Sequence, residues 1–181
     1  MAERHGLVMV HTGDGKGKTT AAMGLAVRAW GAGLRVQIIQ FIKNRKTTGE
    51  MKAIETLAAA DGRIAIEQCG HGFTRRGAGV QEKEAHREAA LAGLERARAI
   101  MKGGEADLLV LDEINYAVKF GLLTTAEVLD VLDMRPPAMH VVMTGRDAAP
   151  EIIARADLVT EMKLIKHPYE QGIPAQPGIE F

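Results

Sequence analysis

The 181-residue chain has a single cysteine, Cys69. That excludes an internal disulfide framework and a cysteine-based zinc cluster, and it fits a reducing compartment such as the cytoplasm. Charge of either sign in excess is also lacking: 23 Lys and Arg balance 23 Asp and Glu. Nothing in that balance calls for nucleic acid or an anionic membrane as partner. No apolar run approaches the roughly 20 residues needed to span a bilayer, and the opening "MAERHG" is not a signal peptide. Internal repeats, low-complexity tracts and a linker between domains are missing too. The six histidines make no metal-ligand spacing; His86, on a charged helix, is expected to be solvated, and His71 and His167 fall in loops. What remains is one soluble α/β domain over residues 1–181, large enough to bury about 70% of its unfolded surface.

Strand and helix signals alternate along the whole chain. "GLVMVH" (6–11), "RVQIIQF" (35–41), "RIAIEQC" (63–69), "DLLVLDEI" (107–114), "MHVVMTG" (139–145) and "DLVTEM" (157–162) read as strands. Between them, "KTTAAMGLAVRAWGAG", 51–60, 81–104, "TAEVLDVLDM" and "PEIIARA" read as helices. In the first of these Met23, Val27 and Trp30 recur at helical spacing, and Gly31 and Gly33 end it. Thr124 and Glu127 have capping-box spacing. The tail from Lys163, with three prolines, is expected to be extended. This alternation implies a mostly parallel sheet covered by helices on both faces.

Four stretches carry chemistry. In "HTGDGKGKTTAAMG" (11–24), Gly17-Lys18-Thr19 supplies the second half of the phosphate-loop pattern G-x-x-x-x-G-K-[ST]. The first glycine belongs at Thr12, and Gly13 comes one place late. The physics survives: Gly13, Gly15 and Gly17 permit positive φ, so loop amides can converge on phosphate oxygens, and the following helix adds its N-terminal dipole. Lys18 is expected to reach the terminal phosphates, Lys16 adds a second charge, and the Thr19 hydroxyl suits Mg²⁺. The expected nucleotide-contact set is Thr12, Gly13, Asp14, Gly15, Lys16, Gly17, Lys18, Thr19 and Thr20; Arg146 of "TGR" (144–146), at the carboxyl end of another strand, reads either as a further phosphate or ribose contact or as a solvated loop arginine. "LLVLDE" ends a buried run in Asp112 and Glu113, where a carboxylate would sit beside hydrated Mg²⁺ and Thr19. "GFTRRG" (72–77) is glycine-rich and holds Phe73, Arg75 and Arg76; it reads either as a plain surface loop or as a substrate lid. Cys69 is expected to be a small buried hydrophobe.

Together these residues, with "VLDEINYA", "ADLVTEM" and "KHPYEQGIPAQPGIEF" in the same order, resemble the P-loop-type corrinoid adenosyltransferases. The resemblance covers nearly the whole chain. It implies a RecA-like P-loop fold, a homodimer, and a reaction in which Co(I) of a reduced corrinoid attacks the 5′-carbon of ATP and inorganic triphosphate leaves. An electron donor such as a reduced flavoprotein is implied as well. By the family's pattern, Lys18, Glu113 and Arg146 are the catalytic residues, Thr19, Asp112 and Glu113 hold Mg²⁺, and Phe73 and Arg75 meet the corrinoid.

The chain departs from that pattern in places. The family often reads G-F-T-W, and here Arg75 stands where the Trp would be. A charged guanidinium is costly to bury beside a metal, which points to a corrinoid with a weak lower ligand. Asp14 is an acid where Asn or Lys is commoner, so it is expected to point outward or toward Mg²⁺. About five residues precede the first strand, where longer relatives carry a covering segment, so a more open site is expected. Two other readings compete: a small-molecule P-loop kinase or ATPase, and a non-catalytic ATP-gated corrinoid-binding protein.

Overall fold

A computed structural model describes residues 5–42, 48–70, 72 and 80–180 of the protein. Six strands, β1 (Val8–Thr12), β2 (Val36–Gln40), β3 (Ile64–Gln68), β4 (Leu108–Asp112), β5 (His140–Thr144) and β6 (Leu158–Glu161), form one sheet in the order β3-β2-β4-β5-β1-β6. Every neighbouring pair is parallel. The crossovers are made by α1 (Lys18–Gly31), α2 (Gly49–Asp61), α3 (Val80–Gly103), α4 (Ile114–Lys119), α5 (Thr125–Leu132) and α6 (Pro150–Arg155).

The expected two-faced architecture is present. On one face Ala22, Met23 and Ala26 of α1 and Ile54 of α2 pack on Val36, Ile38, Leu108 and Val110. On the other, Leu94 and Ile100 of α3, Val128 and Val131 of α5 and Ile152 of α6 pack on Ile39, Leu109 and Leu111. β4 is central and wholly buried, which is why it reads as an unbroken apolar run and not as an alternation. β6 is an edge strand whose four residues are all exposed.

Several local expectations need correction. Val27 does not share the buried stripe of α1: small alanines at 22, 26 and 29, with Met23, let the helix lie close on the sheet, and Val27 faces solvent. Strand β4 stops at Asp112, because Glu113 turns into the left-handed region (φ 64°) and starts α4, a six-residue helix that periodicity did not reveal. His86 is buried, 6% exposed, with Nε2 3.9 Å from Glu82. Cys69 is only half-buried against the core, and burial pushes its thiol pKa up. The tail is not simply extended: a 3-10 turn at Pro168–Gln171 is capped by His167, whose Nδ1 accepts the Tyr169 N–H at 3.1 Å. The capping box formed by Thr124 and Glu127 is present as read.

Candidate functional site

The strand register lines up polar side chains at the carboxyl edge of the sheet. β2 pairs with β4 so that Gln40 stands opposite Asp112, and with β3 so that Gln40 stands opposite Gln68. Gln68 Nε2 donates to Gln40 Oε1 at 3.0 Å, and Gln40 Nε2 donates to Asp112 Oδ2 at 2.9 Å. Asp112 Oδ1 accepts two hydroxyls, Thr19 Oγ1–H and Thr144 Oγ1–H, each at 2.8 Å. This carboxylate is fully buried, and three donors satisfy it.

The loop from β1 to α1 wraps a lysine. Lys18 is the first residue of α1, and its Nζ donates to the carbonyls of Gly13 (2.6 Å) and Gly15 (2.7 Å). Burial is the main cause of its lowered pKa, and the Arg146 guanidinium lowers it further; Glu113, Asp14 and Asp147 pull it back up. Gly17, the N-cap of α1, has φ 109°, and Gly13 has φ 91°. Both need glycine for their backbone angles.

Gly15 differs from the expectation of positive φ. What forbids a side chain there is crowding: a Cβ would lie 2.7 Å from the Met162 carbonyl oxygen and 2.9 Å from the Lys163 carbonyl carbon. The Gly15 N–H donates to that same Met162 oxygen at 2.6 Å. The stretch just after the edge strand β6 therefore forms the back of the loop.

A cavity of about 340 Å³ opens over this loop, lined by Asp14 through Thr20 together with Glu50, Glu113, Tyr116, Arg146 and Glu180. Of the residues expected to contact ATP, Asp14, Gly15, Lys16, Gly17, Lys18, Thr19, Thr20 and Arg146 are brought together here. Thr12 and Gly13 do not line it: Thr12 ends β1, is buried, and its hydroxyl accepts the Ala148 N–H at 3.1 Å. Asp112 does not line it either, since Thr19 stands in front of it. Asp14 points outward, with Oδ1 3.9 Å from Arg146 Nε, and Arg146 Nη2 donates to the Asp14 carbonyl at 3.4 Å. Phe73, Arg75, Arg76 and His71 lie outside the described residues.

Three lining residues escaped the sequence reading. Tyr116 sits on α4, the helix that was missed. Glu50 lies in the first turn of α2, and no local pattern marks it. Glu180 comes from the far end of the chain and contacts the Lys16 ammonium. The "AQPGIEF" ending had served only as a marker of resemblance.

The donor set fits a hard divalent cation. A hydroxyl (Thr19) and a carboxylate (Glu113) face the cavity, with a second carboxylate (Asp112) one hydrogen bond behind. Among the described residues no cluster of three or more His, Cys, Asp or Glu could hold a metal unaided. Such a sparse set suits Mg²⁺, which is commonly held by one or two carboxylates with substrate phosphates completing its shell. Among the described residues, no helix is long and apolar enough to cross a membrane.

Known proteins resemble the chain in fold and in sequence. A crystal structure of the flagellar accessory protein FlaH from Methanocaldococcus jannaschii is similar to the fold, with TM-score 0.57 and 14% identity over 87% of this chain and 71% of that one. That likeness, with the phosphate loop and parallel sheet, makes the fold RecA-like. A corrinoid adenosyltransferase of Pseudomonas aeruginosa is 40% identical over 179 residues, 99% of this chain and 85% of the relative. The corrinoid adenosyltransferase CobA of Salmonella typhimurium is 36% identical over 99% of this chain and 87% of its own length. The model of the ATP:corrinoid adenosyltransferase BtuR/CobO/CobP family matches residues 4–181, and the chain belongs to that family.

Proposed function

We propose that the protein transfers the 5′-deoxyadenosyl group of ATP to Co(I) of a reduced corrinoid and releases inorganic triphosphate. One observation carries this: a full-length family match coincides with a cavity in which Lys16, Lys18 and Arg146 converge on a phosphate loop. The chemistry suits that inventory. Displacement at carbon by Co(I) needs no general base from the protein, because the cobalt is the nucleophile. It needs neutralisation of a highly charged leaving group and alignment of the two reactants.

On this reading Lys18, Lys16, Arg146 and the loop amides hold the triphosphate. Lys18 is already oriented by two carbonyls, so little reorganisation is required of it as charge develops on the departing oxygen. Thr19 and Glu113 would hold Mg²⁺, with Asp112 fixing the Thr19 hydroxyl. The ion would neutralise part of the phosphate charge. Phe73 and Arg75 are assigned to the corrinoid by the family's pattern. We further infer a homodimer, a reduced flavoprotein as electron donor, and a reducing cytoplasmic setting that the single cysteine supports.

The test is incubation with ATP, Mg²⁺ and a chemically reduced corrinoid, followed by phosphorus NMR and visible spectroscopy. Triphosphate in equal amount to a new cobalt–carbon chromophore is expected. ADP and phosphate without triphosphate would instead make the protein a kinase or ATPase. Corrinoid binding with no cobalt–carbon bond would make it a non-catalytic carrier.

A further inference from the structure

Thr144 ends β5, is fully buried, and does not line the cavity. Its hydroxyl nevertheless touches both acids of the site. It donates to Asp112 Oδ1 at 2.8 Å and accepts the Glu113 backbone N–H at 2.9 Å. Glu113 is one of only two non-glycine residues with positive φ among the described residues. A left-handed backbone costs a side-chain-bearing residue roughly 1–2 kcal/mol, so the surroundings must hold it. That turn swings Glu113 off the line of β4 and into the cavity. The next residue reinforces the grip: Gly145 (φ 131°) approaches so closely that a Cβ would lie 2.8 Å from the Tyr116 nitrogen and 3.0 Å from the Asn115 Cβ.

We propose that Thr144 is the positioning residue for the divalent-cation site. One hydroxyl sets the Asp112 rotamer, and through it the Thr19 hydroxyl, while the same oxygen pins the strained turn that aims Glu113. Thr144 thus couples the two oxygen donors facing the cavity without touching ion or nucleotide. This inference rests on the reading of Thr19 and Glu113 as cation donors. The two bonds made by one hydroxyl tie the Asp112 carboxylate to the turn that carries Glu113.

The experiment compares wild type, Thr144→Val and Thr144→Ser. Mn²⁺ serves as the paramagnetic probe, and its binding with ATP is followed by EPR and calorimetry. Groups that orient metal ligands commonly contribute tenfold to a hundredfold in affinity, so Thr144→Val should weaken Mn²⁺ binding in the presence of ATP by about tenfold or more. ATP affinity without metal should stay within about twofold, because Lys16, Lys18 and Arg146 are untouched. Thr144→Ser, which keeps the hydroxyl, should restore most of the Mn²⁺ affinity. If Thr144→Val does not fold, Thr144→Cys, of similar size but a weak hydrogen-bonding group, takes its place with the same expectation. Unchanged Mn²⁺ affinity in the folded variant, or a serine variant as impaired as the valine one, overturns the inference alone. Wild-type protein that binds ATP with no metal dependence overturns the cation site itself, and this inference with it.

Discussion

Strands β4 and β6 belong to the same sheet, and the segments after both reach the phosphate loop, but the strands are built in opposite ways. β4 is paired on both sides and buried at all five positions, and its last carboxylate is held by three donors. Among the described residues β6 pairs only with β1, is exposed at all four positions, and leads into a tail whose Ile165 and Tyr169 are about four-fifths exposed. The difference separates two ways of shaping a binding site. The centre presents groups that are fixed before the ligand arrives, as electrostatic preorganisation requires. The edge supplies a backing wall: Met162 accepts the Gly15 N–H, and Glu180 contacts Lys16. An exposed edge thus sets the shape of a loop that sequence alone assigns wholly to phosphate.

The largest expected effect probes the centre. Lys18→Met removes the buried ammonium and its two carbonyl contacts, and turnover measured as triphosphate release should fall by about a hundredfold to a thousandfold. Lys18→Arg should not rescue it, because a planar guanidinium cannot fit between the Gly13 and Gly15 carbonyls. Activity within tenfold of wild type in Lys18→Met would move the leaving-group charge elsewhere.

A pair of glycines tests the edge. Gly15→Ala forces a methyl against the Met162 and Lys163 backbone and should cost about 1–3 kcal/mol in urea unfolding. Gly24→Ala, in the middle of α1 with nothing within 4 Å of the added Cβ, should gain about 0.5–1 kcal/mol. Equal, small effects at both positions would remove the edge wall from the account of the loop.

The smallest effect concerns the tail. The Lys16–Glu180 pair is partly exposed, with side chains 47% and 18% accessible, so it is worth at most about 1 kcal/mol. Glu180→Gln frees Lys16 for phosphate, and calorimetry should register ATP binding up to about fivefold tighter. Weaker binding would mean that Glu180 helps to seat the nucleotide and does not compete with it.

Legibility in the sequence followed the range of the forces involved. The phosphate loop, the β4 run and the Thr124 capping box were readable because each is a contiguous pattern with a local cause. α4 was not, because six residues are too few for a helical period and its start depends on a left-handed glutamate held from β5. The missed lining residues, Glu50, Tyr116 and Glu180, come from three separated segments. Thr12 carried the misleading signal: the consensus position suggested a contact, yet the strand continues through it and buries its hydroxyl against Ala148.

The sequence by itself determined the alternating α/β order, the parallel sheet and the nucleotide loop, since apolar periodicity and glycine spacing are properties of neighbouring residues. Membership of the adenosyltransferase family was also legible there, in motifs spread along the whole chain. Only the tertiary structure decided that Asp112 stands behind Thr19, that Gly15 is required by the Met162 carbonyl, that Glu180 returns to Lys16, and that one threonine on β5 holds both the Asp112 carboxylate and the Glu113 backbone N–H. Those facts depend on strand order and register, which bring residues 19, 40, 112 and 144 within hydrogen-bond reach. No pattern along the chain encodes such a juxtaposition, because it arises only when the strands pair side by side.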